Sequence, residues 1–218
     1  MTEPAVSVRP FERRDRAAVR EICCDTADRG EPVERFFPDR ELIADLVTGY
    51  YTDREPQSTW VAEAGGRVVG YLTGSLDSAR CERETGRAVA PRAVLRAVGR
   101  GVLWHRATWR LLRAFWMTWR AGGWPRRSPF EEYPAHVHIN VRAECRGRRV
   151  GHRLAERFFQ QMEQAGLKGV HAHVRGDNAS GRRFFERLGF VAVSEYPLVV
   201  PARSGYLQTQ TVLYGKRM

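Results

Sequence analysis

The sequence predicts an α/β (α+β) fold with one mixed central sheet flanked by helices, and two observations carry that prediction. The order strand, helix, helix, strand, strand fills residues 1–76. In the second half, a strand, a helix and a second strand fall within about 40 residues, the span of a right-handed βαβ crossover with locally parallel strands. Residues 77–133 interrupt this rhythm, so a helical insertion is expected between the third and fourth strands. No internal repeat is visible, and 218 residues suffice for one domain, 1–218, with a substantial core.

Val6 to Arg9 alternates and stops at Pro10, which reads as a strand; Asp15 then precedes a helical spacing through Ala18, Val19 and Ile22 that runs to about Asp28. Asp39 is placed to cap a helix through Leu42, Ile43, Leu46 and Val47, expected to end at Gly49. Thr59–Ala64 and Arg67–Leu76 are strand-like runs joined by Gly65-Gly66, a hairpin signal. In the insertion, a segment around Pro91–Val102 precedes an amphipathic helix near Arg106–Arg120. Its Trp109, Leu112, Trp116 and Trp119 recur at helical spacing and are expected to pack on the rest of the protein, with Arg110, Arg113 and Arg120 reaching water. A membrane-surface or partner-binding helix is the alternative. Gly122, Gly123, Pro125 and Pro129 mark the way out. Regular structure resumes with a strand His136–Arg142, a loop 143–151, a helix from His152 to about Gln164 and a strand Val170–Val174. A helix opened by Asn178 runs to Gly189, and strand-like runs Phe190–Ser194 and Thr209–Tyr214 close the chain.

Composition narrows the functional classes. The net charge of +11 divides unevenly: residues 1–76 carry 10 basic and 14 acidic residues (−4), 77–133 carry 12 and 5 (+7), and 134–218 carry 14 and 6 (+8). An acidic first third argues against a nucleic-acid-binding protein. No apolar run approaches the ~18 to 20 residues of a spanning helix, and Met1–Pro10 lacks the regions of a signal peptide, so no transmembrane segment and a cytoplasmic location are expected. Cys23, Cys24, Cys81 and Cys145 lack ligand-like spacing and read as free thiols.

The most informative stretch is Val141-Arg142-Ala143-Glu144-Cys145-Arg146-Gly147-Arg148-Arg149-Val150-Gly151-His152, between a strand and a helix start. Glycines let the backbone approach a ligand, and the unpaired N–H groups of a helix N-terminus suit phosphate oxygens. Four arginines (Arg142, Arg146, Arg148 and Arg149) crowd the same point, which predicts a pyrophosphate-containing ligand. The spacing is neither GxxxxGK[ST] nor GxGxxG, so a nucleoside-triphosphate P-loop is excluded and a dinucleotide fingerprint is unsupported.

Arg146-Gly147-Arg148-Arg149-Val150-Gly151 resembles the acetyl-CoA signature Q/R-x-x-G-x-G/A of the Gcn5-related N-acetyltransferases (GNAT), with Arg149 where the family usually has its first glycine. Asn178-Ala179-Ser180-Gly181-Arg182-Arg183-Phe184-Phe185-Glu186-Arg187-Leu188-Gly189-Phe190 is similar to the family's asparagine-led helix ending in Gly-Phe. The resemblance covers roughly 1–76 and 134–218. It implies acetyl-CoA as co-substrate, with its pyrophosphate on Arg146, Gly147, Arg148, Arg149, Val150, Gly151 and His152, its pantetheine arm along Val141 and Ala143 and bonded near Asn178, and Phe184 and Phe185 near the thioester. It implies N-acetyl transfer to a primary amine through a ternary complex. Phe185 stands where the family often has a tyrosine able to protonate the departing thiolate; water, Tyr133 or Tyr196 are the substitutes. A weak or inactive acyl-CoA-binding module is the alternative function.

Amine attack needs a base. Period two puts His136, His138 and Asn140 on one face of their strand and Val137, Ile139 and Val141 on the other, while His171, His173 and Arg175 share a face of the next strand. His138, ahead of His136 and Asn140, is the expected base or water anchor, because imidazole titrates near neutrality. Glu144, among arginines, is a poorer base. No metal site is expected. The His136-x-His138-x-Asn140 pattern, after an arginine- and tryptophan-rich insertion, is similar to acetyltransferase-like domains attached to some bacterial-type O-GlcNAc hydrolases. In the family the first two helices help form the acceptor cleft, and their acidity here predicts a cationic acceptor. The tryptophan-rich insertion is compatible with a homodimer.

Overall fold

In the computed structural model, which describes residues 5–123, 129–202 and 204–218, seven strands form one mixed sheet in the order β1-β2-β3-β4-β5-β7-β6. The strands are β1 Val6–Pro10, β2 Thr59–Ala64, β3 Arg67–Ser75, β4 Ala135–Val141, β5 Gly169–Arg175, β6 Val191–Pro201 and β7 Tyr206–Arg217. The helices are α1 Arg16–Asp25, α2 Arg40–Asp53, α3 Ser78–Glu84, α4 Ala90–Gly99, α5 Arg106–Arg120, α6 Val150–Gln164 and α7 Ala179–Arg187. Pro125 and the first four residues lie outside the described residues.

All strand pairs are antiparallel except β4 with β5. Gly65 and Gly66, both at positive φ, make the tight β2–β3 turn expected of them. One sheet face is covered by α6, whose Val150, Leu154, Phe158 and Met162 bury against Leu72, Val137 and Val170. The other carries α1 and α2, with Val19, Ile22 and Cys23 against Val61, Val68 and Tyr71. All four cysteines are free and buried.

Three expectations need correction. Helix α2 continues past Gly49 to Asp53, after Asp39 Oδ1 caps it by accepting from Leu42 N at 2.9 Å. Gly49 lies within the helix, where α2 runs close to the insertion: a Cβ on it would sit 3.3 Å from Val89 Cγ1. The first residues of the insertion, to which the sequence reading assigns no element, form the helix α3, capped by Asp77. The tryptophan stripe of α5 does not pack inward. Trp109, Trp116 and Trp119 are 61%, 51% and 63% exposed, while Thr108, Ala114 and Thr118 are buried. Small residues win the inner face because α5 lies close against β6: Thr118 Oγ1 accepts from Val199 N at 2.9 Å, which large side chains would prevent.

Candidate functional site

The site is a split in the sheet. β4 and β5 pair only at Ala135–Val170 and His136–His171, although each strand continues for several residues. β4 remains paired to β3 up to Gly70–Val141, and β5 to β7 up to Arg175–Thr211, so the two halves of the sheet are held from outside while their facing edges diverge. Beyond His136 the facing edge of β4 runs over Val137–Val141, roughly 16 Å at ~3.3 Å per residue, with main-chain N–H and C=O groups that no strand across the gap engages. An extended chain bearing amides fits such an edge as another strand would.

At the open end of the split lies the loop of 142–149 and the start of α6. Its first turn contains no acidic residue, so the helix dipole and the free N–H groups are uncompensated. Arg149 occupies the N-cap with φ 58°, in the left-handed region, and its side chain is exposed. That conformation is the physical reason a glycine suits this position. Arg149→Gly is expected to stabilise the fold by about 1 kcal/mol in urea unfolding; unchanged or lower stability would refute the strain argument. Gly151 meets a different constraint. A Cβ there would lie 2.8 Å from the Phe184 ring, so α6 and α7 approach through it. Gly151→Ala is expected to cost about 1–3 kcal/mol and to shift Phe184, read by thermal melting together with loss of ligand affinity.

The remaining predicted residues divide. Arg142 is nearly buried and committed elsewhere: its Nη2 donates to Glu21 Oε1 at 2.9 Å and its Nη1 lies 3.5 Å from Asp25 Oδ2. Arg146 donates from Nε to Val141 O and from Nη2 to Gly30 O, both at 3.2 Å. Across the split, Arg175 Nη1 donates to Asp28 Oδ1 at 2.8 Å, and Arg29 pairs with Asp177. The short loop after α1 therefore ties both lips of the opening, a link the sequence did not signal. Ala143, Gly147 and Arg148 are exposed on the loop, and Val150 is buried beneath it. His152 packs edge-on to Phe184 with centroids 5.5 Å apart. Asn178 caps α7, its Oδ1 accepting from Gly181 N and Ser180 Oγ at 3.0 Å each. Phe185 departs from expectation: it is 8% exposed and stacks among Phe190 and Tyr214 in the core, so Phe184 is the ring nearer the surface.

At the closed end of the split sit the histidines. His136, His171 and His173 bring ring nitrogens within 4.8 Å of one another, a grouping from which an ion could be held, although the sequence reading expects none. His171 Nδ1 lies 2.9 Å from the carbonyl oxygen of Tyr133, so Nδ1 carries the proton and Nε2 the lone pair. His136 Nδ1 bonds Tyr51 Oη at 3.0 Å, and the Tyr196 ring lies 6.3 Å from His173. His138 stands apart. Asn140 Nδ2 reaches its Nε2 at 3.1 Å and Tyr71 Oη at 2.9 Å, which occupies the lone pair that a base would use. Burial pushes the pKa of His138 down to about 4, and burial first, then neighbouring histidines, holds His136 well below the usual imidazole value. Burial also lowers His171 and His173. All four are neutral at pH 7. The weight that sequence reasoning gave to β4 missed His171 and His173 as members of the site; their alternation on β5 was the available signal.

Residues 114–190 match the model of the Acetyltransferase (GNAT) family. Among solved structures, SsHAT superposes with a TM-score of 0.70 at 23% identity over 98% of each chain. The structure of yncA from Salmonella typhimurium with its cofactor acetyl-CoA gives 0.59 at 17% identity, over 98% of this chain and 94% of that one. A GCN5-related N-acetyltransferase from Kribbella flavida gives 0.58 at 17% over 98% of each. With the split sheet and the loop before α6 in place, the match over 114–190 and these superpositions show that this chain carries the GNAT acetyltransferase fold.

Proposed function

We propose that the protein is an acetyl-CoA-dependent N-acetyltransferase acting on a primary amine. The observation that carries this reading is the divergence of β4 from β5 beside the uncompensated N-terminus of α6. In this reading the main-chain N–H groups around 147–151 hold the pyrophosphate, with the exposed Arg148 and Arg149 beside it. The pantetheine arm runs along Val141 and Val137, and the thioester reaches the histidine end. The amine nitrogen attacks the thioester carbonyl, the C–N bond forms, the C–S bond breaks, and the amine proton passes to a base.

The base we assign is His136, directly or through water, with His171 and His173 behind it; His138, bonded to Asn140, positions rather than accepts. Phe185 cannot protonate the thiolate. A thiol of pKa ~8.5 leaves without strong acid assistance, and Tyr196, its hydroxyl raised to about 12 by burial, keeps a proton to give. The acceptor class is an amine that is a cation in bulk water and gives up one proton to solvent before its neutral nitrogen attacks, the second passing to the base. The acidity of 1–76 supports this less than its count implies, because arginines bridge many of those carboxylates: Arg20 to Glu41 and Asp45, Arg40 to Asp25 and Glu34, Arg16 to Asp53.

Isothermal titration with acetyl-CoA tests the reading, and no heat at millimolar ligand would end it. The buried Phe185 favours a second reading, a weakly active or inactive acyl-CoA-binding module akin to the acetyltransferase-like domains beside O-GlcNAc hydrolases. Acetyl-CoA binding without thiol release across a broad amine panel would select it.

A further inference from the structure

The helical segment between β3 and β4 has an outer surface that the proposed chemistry does not use. Val94 (48% exposed), Leu95 (73%) and Val98 (40%) project from α4, Leu103 (43%) and Trp104 (91%) from the turn that follows, and Trp109, Leu112, Trp116 and Trp119 from α5. The inner faces of both helices are made of small residues, Ala93 and Ala97 on α4 and Ala114 and Thr118 on α5, so the large apolar groups are displaced outward rather than left over from a loose core. Trp109 Nε1 donates to Leu103 O at 3.0 Å, which joins the α5 stripe to the turn. Water-exposed apolar surface on this scale marks an interaction site.

Charge identifies the partner. Residues 85–123 contain eight arginines (87, 92, 96, 100, 106, 110, 113 and 120) and no aspartate or glutamate. Arg96 and Arg100 pair with Asp45 and Asp39 of the body. The other six have no carboxylate partner among the described residues: Arg110 binds main-chain carbonyls, Arg113 lies over Tyr206, and Arg120 lies over Trp116. By helical spacing Arg106, Arg113 and Arg120 flank the tryptophan stripe on one side. A second copy docking through the same face would set these unneutralised arginines against its own. Nucleic acid would answer the arginines but not the aliphatic Val94, Leu95, Leu103 and Leu112.

We propose that the α4–α5 face docks the protein on an anionic lipid bilayer, with the tryptophans and aliphatic side chains in the interface and the arginines against lipid phosphate. The helices lie along the surface; no helix among the described residues is long and apolar enough to cross a membrane.

The test is co-sedimentation of the full chain with vesicles of phosphatidylcholine alone or mixed equally with phosphatidylglycerol. Binding should be at least about tenfold tighter to the anionic vesicles and should weaken steeply as salt rises, since a Debye length shrinks to about 3 Å at 1 M. The triple variant Leu112→Gln, Trp116→Gln, Trp119→Gln and the pair Arg106→Glu, Arg113→Glu should each lose at least about tenfold in vesicle affinity, with circular dichroism and thermal melting as for the unaltered chain. Equal binding to both vesicles, or none, overturns the proposal. So does a concentration-dependent dimer that the triple variant abolishes, or tighter binding to an oligonucleotide than to anionic vesicles.

Discussion

Taking the protein from pH 7 to pH 5 is expected to destabilise it markedly, and the four histidines of β4 and β5 are the reason. In the unfolded chain each imidazole takes a proton near pH 6.5; in the folded one burial holds His138 down to about 4 and lowers His136, His171 and His173 as well. The unfolded state therefore binds more protons through this window, and stability falls with pH. The stabilising contribution is complete above about 6.5 and is lost progressively as the pH approaches 4. For His138, part of whose ring meets solvent, the loss at pH 5 is about 1–2 kcal/mol, and the other three act in the same direction. Against a typical total of about 5–15 kcal/mol this is large. Urea unfolding at pH 7.5, 6 and 5 measures it, and a midpoint that stays level across that range contradicts the argument. His138→Gln should flatten part of the slope, because glutamine keeps a hydrogen-bonding side chain without titrating. The arginine-paired Asp15, Asp39, Asp53 and Glu34 do not obscure the result: they titrate below their usual range, held there against burial by arginine partners, and stay ionised at pH 5.

Replacing His136 with glutamine should lower kcat for acetyl transfer by roughly 100-fold or more, the usual worth of a general base, with little change in acetyl-CoA affinity. The contrast with His138→Gln is the discriminating part. Because Asn140 occupies His138 Nε2, that substitution should disturb positioning, raising KM for the amine more than it lowers kcat. If His138→Gln abolishes turnover while His136→Gln is active, the roles are reversed. If neither variant affects thiol release from a demonstrably active enzyme, the proton leaves by another route.

The sequence was legible where local rules act alone. The Gly65-Gly66 hairpin, the Asp39 and Asn178 caps and the span of α5 are set by turn geometry, side-chain capping and helical period, and each lies where those rules put it. Alternation along β4 likewise placed Val137 and Ile139 on the α6 side and His136, His138 and Asn140 on the other. Errors arose where a residue's fate depends on a distant neighbour. Arg142 sits among the arginines expected to meet a pyrophosphate, yet Glu21 and Asp25 of α1 claim it. The tryptophans of α5 have the spacing of a core face, but β6 approaches the opposite side, which only small residues allow.

Taken alone, the sequence determined the fold class, the crossover between β4 and β5, the position of the glycine- and arginine-bearing loop before α6 and the family that loop resembles, because each is written within a few dozen consecutive residues. Tertiary structure alone decided that β4 and β5 part after a single ladder step, that His171 and His173 join His136 at the closed end, that Phe185 belongs to the core, and that the apolar side of α5 faces water. These depend on which strands and helices meet across the fold; alternation puts His171 and His173 on one face of β5, but local spacing does not say what that face meets.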